Sequence, residues 1–265
     1  MGQILDKPVT DKSTHRGENS YLKYGCSSMQ GYRVSMEDRH NYETRVTNSA
    51  NAEISFFAVY DGHSGMCQPI AVFCLRFRRT FFFLRFRLIN SHSFTFFLSV
   101  GDSCADFLSK NLFKTVIEEE NNHHTNSNSS NSSKNNSNLI VQYLSSDDRI
   151  KRAFMRTDAL FELNSHGIDE SGSTAITSFI KRISTEKIEI ICANTGDSRC
   201  VLYTNGKTEP MSYDHKPTNQ TERDRIHKAG SFVEFSRVNG SLAVSRAFGD
   251  LGYKKSPKVR PEEQA

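Results

Sequence analysis

The chain has 265 residues, 36% of them hydrophobic and 24% charged, which is ordinary globular usage and long enough to bury a sizeable core. Its formal charge of +4 is local: residues 66–100 hold five arginines and no acidic residue, and without them 29 basic residues face 30 acidic ones. A nucleic-acid partner is therefore not expected from the charge.

Residues 1–23 are polar and predict an irregular lead-in, too charged for a secretory apolar region. Gly2 offers an N-myristoylation acceptor and hence a membrane association, against which Asp6 occupies the motif position that wants Ser or Thr. Glu53–Tyr60 (EISFFAVY) is a continuous apolar run that predicts a strand buried on both faces, ending at Asp61-Gly62. Asp102–Glu120 predicts a helix with Ala105, Leu108, Leu112 and Val116 on one stripe. The tract NNHHTNSNSSNSSKNNSN, residues 121–138, has no apolar residue to bury and predicts a disordered surface loop whose histidines reflect composition.

Arg149–Leu163 predicts a second helix carrying Ile150, Phe154 and Leu160. Strand patterns return at Lys187–Asn194 and Arg199–Tyr203, the latter followed by a hairpin signal at Asn205-Gly206. Asn219–Ala229 predicts a helix that opens on an Asn219/Glu222 capping box and closes at Gly230. Phe232–Val238 and Ser241–Ser245 read as further strands around Asn239-Gly240. Strands mixed with helices, and clustered as antiparallel pairs, indicate an α+β or layered α/β/α domain. No Walker or G-x-G-x-x-G loop supports nucleotide binding. The six cysteines have neither a C-x-x-C pair nor zinc spacing, which favours free thiols in a reducing compartment.

Three acidic groupings fall where strands or turns end: Glu37-Asp38 in GYRVSMEDRH, Asp61 in YDGH, and Asp197 in NTGDSR. Carboxylates gathered without cations repel and raise one another's pKa. Divalent cations remove that problem, and hard oxygen ligands suit Mg²⁺ or Mn²⁺. Gly62 leaves its carbonyl unobstructed as an extra ligand, and His63 stands where an imidazole can donate a proton. Each motif alone reads as a turn or a solvated charge cluster; the ordered set is what carries information.

That set, GYRVSMEDRH, FFAVYDGHSG, SGSTA, CANTGDSR, DHKP and RVNGSLAVSRAFGD, resembles the metal-dependent protein phosphatases of the PP2C type from about Tyr24 to Ala265. The resemblance implies an α+β fold of four layers, α-β-β-α, with two antiparallel sheets flanked by helices. It implies hydrolysis of phosphoserine and phosphothreonine in protein substrates by a metal-activated water at two Mg²⁺ or Mn²⁺ ions, with a weak third ion. Glu37 and Asp61 match metal ligands, Asp61 bridging; Gly62 matches the carbonyl ligand, and Asp38 an acid that holds metal-bound water. Asp197 matches the third-site aspartate, Arg33 the substrate-phosphate clamp and His63 the general acid. Thr174, Thr195 and Ser198 read as fold elements, not nucleophiles. A monomer in cytoplasm or nucleus, without a transmembrane segment, is expected.

Two departures accompany the resemblance. Residues 66–100 separate DGHSG from the helix that should follow it, and hold nine of the 19 Phe, with arginines every few residues that argue against a membrane span. Two origins stay open for them, a translated intron and a genuine insertion. The aspartates that family members carry beyond this point in the pattern, in DGxxD and DN segments, do not follow Asp250. This makes an incomplete domain of residues 24–265 the expectation, with impaired activity, and keeps a non-catalytic phosphoprotein-binding pseudophosphatase as the alternative.

Overall fold

The computed structural model describes residues 4–47, 53–63, 102–127, 147–182, 184, 187–257 and 259–264. Strands β1 (Ile4–Glu18) and β2 (Lys23–Arg33) form an antiparallel hairpin, followed by β3 (Arg39–Thr47), β4 (Glu53–Tyr60) and the two-residue β5 (Gly62–His63). Helices α1 (Ser103–Ser127) and α2 (Asp147–Asn164) precede β6 (Gly172–Ser173), β7 (Ala175–Arg182) and β8 (Ile188–Thr195). Then come β9 (Val201–Thr204), β10 (Lys207–Pro210), α3 (Gln220–Lys228), β11 (Val233–Glu234), β12 (Arg237–Val238) and β13 (Phe248–Gly249).

The main sheet has the order β3-β4-β7-β8, all antiparallel. Side chains alternate along a strand, so Ile54, Phe56, Ala58 and Tyr60 of β4 share one face and are buried with Ala175 and Phe179 of β7. That face receives Leu108, Leu112 and Val116 from α1 and Ile150, Phe154 and Phe161 from α2. Phe56 is central, with ring centroids 5.1 Å from Phe179 and 4.7 Å from Phe113. Truncating a fully buried side chain here, such as Leu108 to Ala, costs about 2–5 kcal/mol.

The opposite face is covered at its β3–β4 end by the first hairpin. Tyr24 lies 4.9 Å from Tyr42 and 5.4 Å from Phe57 between ring centroids. Tyr21 hydroxyl bonds Ser55 Oγ at 2.8 Å and donates to the Ile180 carbonyl at 3.1 Å. The expected irregular lead-in over residues 1–23 is therefore corrected: most of it is β1. Its polarity hid it, because a hairpin is held by backbone pairing and needs no apolar alternation. Asn19 closes the turn, its Oδ1 accepting from the Tyr21 and Leu22 amides at 3.1 and 3.0 Å.

Further corrections concern boundaries. α1 runs to Ser127, into the tract expected to be disordered, because residues 121–127 contain no Gly or Pro to interrupt the ladder; residues 128–138 lie outside the described ones, as do 66–100. The Asn219/Glu222 capping box does not form. Asn219 makes no side-chain cap bond and instead donates to the Asp214 carbonyl at 2.8 Å, while Glu222 turns inward. Phe232–Val238 is not one strand, since Phe235 and Ser236 take positive φ (50° and 61°) and fold it into a two-residue turn between β11 and β12. Ser241–Ser245 contributes only an isolated bridge, Leu242 to Val238. The Asn205-Gly206 hairpin forms as expected, with both residues at positive φ between β9 and β10.

Candidate active site

A second, three-stranded sheet of order β13-β6-β5 draws three separated sequence motifs together. In it Gly62 pairs with Ser173, and Ser173 with Phe248; His63 pairs with Gly172, and Gly172 with Gly249. The Asp61 carbonyl accepts from the Thr174 amide at 3.0 Å, and the Asp61 amide donates to Thr174 Oγ1 at 3.3 Å. Antiparallel ladders alternate bonded and non-bonded pairs, so the next pair, Gly62 with Ser173, leaves the Gly62 carbonyl off the ladder. Among the described residues β5 is the edge strand of this sheet, so that carbonyl points away from β6.

Asp61 sits at this edge and faces Asp38. Desolvation pushes the Asp38 carboxyl above the ordinary range; the Asp61 carboxylate beside it pushes further, Arg33 pulls it back, and a hydrogen bond with Asp61 and the charge of Glu37 add to the rise. Arg33, Glu37 and Asp61 all act on the Asp38 carboxyl and so share one electrostatic neighbourhood with it. Glu37 accepts from Ser35 Oγ at 3.1 Å. Arg39, from the same MEDRH stretch, binds the Met36 carbonyl at 2.9 Å and forms an ion pair with Asp102 at the start of α1, fixing this segment to the helix.

His63 is held from behind. Its Nε2 lies 2.7 Å from Asp250 Oδ2, and the Asp250 side chain is fully buried. Desolvation lowers the pKa of the imidazole, but the hydrogen bond to Asp250, its charge, the charge of Asp61 and a hydrogen bond to the Asp61 backbone outweigh this and leave it above its ordinary value. Gly172 permits the pair: a Cβ there would stand 2.5 Å from Asp250 Oδ2 and 2.5 Å from His63 Nε2.

Asp197 lies a short step away. Its neighbour Ser198 shares a 2.7 Å hydroxyl contact with Thr174, which holds Asp61. Asp197 itself forms an ion pair with Lys216. Around it the GDSR and DHKP motifs interlock: Arg199 donates twice to Asp214 at 2.7 and 2.9 Å, and the Gly196 amide donates to His215 Nδ1 at 3.1 Å. Thr174 and Ser198 behave as the fold elements the sequence suggested. Residues that sequence reasoning left without a role are Asp250, Gly172, His215 and Lys216, although all stand in quoted motifs. Their partners are remote in the chain, which only the fold reveals.

Hard carboxylate oxygens and a carbonyl turned away from the ladder at one edge fit a divalent cation such as Mg²⁺ or Mn²⁺. The facing pair Asp38–Asp61 would be relieved by one. Among the described residues, however, no three His, Cys, Asp or Glu side chains converge as a closed ligand set. Nor, among them, is any helix long and apolar enough to cross a membrane.

Antiparallel sheets packed against helices, with an acidic edge backed by a His–Asp pair, define an α+β domain, and comparison with known proteins narrows the class. The family model described as Protein phosphatase 2C matches residues 22–73 and 98–264, an interruption that falls inside the Phe-rich stretch 66–100. The chain belongs to the protein phosphatase 2C family. It is 36% identical to Protein phosphatase 2C homolog 2 of Schizosaccharomyces pombe, over all of this chain and 56% of that protein. It is 33% identical to the rice (Oryza sativa subsp. japonica) Probable protein phosphatase 2C 58, over all of this chain and 67% of that protein, and 36% identical to human Protein phosphatase 1B, covering 46% of it. The chain spans about half the length of the fungal relatives it matches. The crystal structure of a phosphatase from a pathogenic strain of Toxoplasma gondii shares the fold, with a TM-score of 0.54 at 20% identity over 98% of this chain and 70% of that one.

Proposed function

We propose that this chain carries the phosphate-binding and proton-donating parts of a protein serine/threonine phosphatase that uses Mg²⁺ or Mn²⁺. The observation that carries the reading is the acidic edge itself: Asp38 and Asp61 face each other beside Glu37 and Arg33, with His63 two residues away on a strand anchored from behind. Asp61, Gly62 and Glu37 would hold the cations, with Asp38 beside them and Asp197 at a weaker third position. When bound, two such ions supply charge neutralisation at phosphorus and a lowered pKa for the attacking water.

The chain's own residues account for the rest. Arg33 offers a planar fork of donors to the non-bridging phosphate oxygens and fixes the ester in place. Water forms the new bond to phosphorus as the bond to the Ser or Thr oxygen breaks, and the bonding pair leaves with that oxygen. His63 supplies the proton that makes the departing group a neutral alcohol. The buried sheet behind His63 keeps bulk water off one side of the ring.

A second reading, phosphoprotein binding without hydrolysis, is favoured by one observation: among the described residues no three His, Cys, Asp or Glu side chains converge closely enough to hold an ion. Mn²⁺-dependent release of phosphate from a phosphothreonine peptide separates the two. Release that disappears in Asp61→Asn supports the phosphatase; tight peptide binding with no release supports the binder. Both readings treat residues 66–100 as an addition to the domain, and sequencing the transcript across that stretch tests the intron origin.

A further inference from the structure

Two cysteines that the chemistry above does not use stand side by side. Cys192 lies on β8 directly opposite Ser178 of β7. Cys200, just before β9, has its Sγ 3.5 Å from Ser178 Oγ. Cys192 hydrogen-bonds both the Ser178 hydroxyl and the Cys200 thiol, so two sulfurs and one hydroxyl form a single cluster. Both thiols are partly exposed, whereas Cys104 is buried. Cys200 also lines a cavity of about 210 Å³ between the first hairpin and the main sheet, room enough for a small oxidant to reach its sulfur.

The backbone holds both partners in place. Cys192 is fixed by the β7–β8 ladder. The Cys200 amide donates to Ser212 Oγ at 2.9 Å, and its carbonyl accepts from the Met211 amide at 2.9 Å. Between them runs the loop 193–199, which carries Asp197 and Ser198. Through the 2.7 Å contact of Ser198 with Thr174, that loop touches the residue that holds Asp61.

We propose that Cys192 and Cys200 are a reversible disulfide-forming pair, oxidised by a hydroperoxide, and that closing the bridge clamps the 193–199 loop. Burial, then the charge and hydrogen bond of Cys200, push the Cys192 thiol up to about 12, although Ser178 opposes them. Cys192 therefore stays protonated, and Cys200 is the attacking sulfur, since the thiolate is the nucleophile. Its sulfur takes one oxygen from the peroxide, becoming a sulfenic acid while the peroxide is reduced to water. Oxidation removes the charge and the thiol contact that helped Cys192 keep its proton. Cys192 then releases the proton, its sulfur bonds to that of Cys200, and the sulfenic oxygen leaves as water. A dithiol reductant reopens the bridge by exchange. Such a transient bridge suits a chain whose thiols are otherwise free. None of this depends on how the acidic edge is read.

Peroxide treatment of the metal-free 265-residue chain, alkylation of the remaining thiols and tryptic mapping test the pair. Cleavage after Lys187, Arg199 and Lys207 places the two cysteines on separate peptides, 188–199 and 200–207. These should appear joined and two hydrogens lighter, and should separate after dithiothreitol. Amide exchange over residues 193–199 should slow by about tenfold in the oxidised chain. In Cys192→Ser, dimedone should trap a sulfenic acid on Cys200; in Cys200→Ser, Cys192 should stay unlabelled. Unlinked peptides in the wild type, or Cys200 joined instead to Cys26 of the same cavity, overturn the pair whether or not the variants fold. Dimedone on Cys192 in Cys200→Ser overturns the order of attack. Unchanged exchange over 193–199 in the bridged chain overturns the clamp.

Discussion

Glu222 and Asp38 are both acidic side chains in crowded surroundings, and the protein treats them in opposite ways. Glu222, buried on α3, receives Arg225 at 2.8 Å, Arg246 at 2.8 and 2.9 Å and Ser245 Oγ at 2.7 Å. Desolvation would raise its pKa, but the bonds from Arg246, Arg225 and Ser245 win and bring it to about 2. Asp38 is pushed up, by desolvation first and then by the Asp61 carboxylate beside it, which Arg33 offsets only in part. One acid is neutralised by the chain's own cations and is a strut. The other is left with unrelieved charge, the arrangement expected where an external cation is part of the design.

The largest effect separating the two should come from Glu222→Gln. It leaves two guanidiniums around a neutral amide, and breaking such a partly buried network costs about 3 kcal/mol, measured by urea unfolding. The pH dependence carries the same signature. Glu222 is depressed from 4.5 to about 2 in the fold, so its contribution is fully present above pH 4.5 and is lost as pH falls towards 2. Asp38 has the opposite sign: its raised pKa makes the ionised form a cost in the fold, relieved as pH falls through the raised value. Urea midpoints of Glu222→Gln and wild type should therefore draw together as pH falls from 4.5 towards about 2, a convergence that would be absent if Glu222 were merely solvated.

A smaller loss, about 1–3 kcal/mol, is expected from Gly172→Ala, because the added methyl must push apart His63 and Asp250. Unfolding by denaturant checks it, and an unchanged midpoint would mean that the small sheet yields without strain. The smallest effect belongs to Asp38→Asn. Removing one of two facing charges should leave the metal-free chain unchanged or more stable by about 0.5 kcal/mol. A clear loss of stability there would erase the contrast with Glu222.

How much of this was legible in the sequence follows from the range of the interactions. The motifs around Asp61, Asp38 and Asp197 stand at strand ends and turns, so local pattern located them. The apolar run of β4 and the stripe Leu108–Leu112 fixed the core for the same reason. β1 was missed because its side chains are polar and its stability lies in backbone pairing with β2. β7 escaped notice because SGSTA was read as a motif and not as the start of a buried central strand. The capping box at Asn219 was a true local signal overruled by distant arginines, Arg246 above all. Asp250 was in view at the end of SRAFGD, but its partner His63 is 187 residues away and no local rule connects them.

Mn²⁺ titration of the metal-free 265-residue chain, followed by melting temperature and calorimetry, tests the central claim most directly. An acidic edge where, among the described residues, no three acidic or imidazole side chains converge should bind Mn²⁺ loosely, with a dissociation constant of about 10⁻⁴ M or weaker. Millimolar Mn²⁺ should raise the melting temperature by mass action, and Asp61→Asn should abolish both the heat and the shift while leaving the metal-free melt intact. Equal Mn²⁺ binding and an equal shift in Asp61→Asn would contradict the account, because the unrelieved charge at Asp38 and Asp61 would then have no cation to receive.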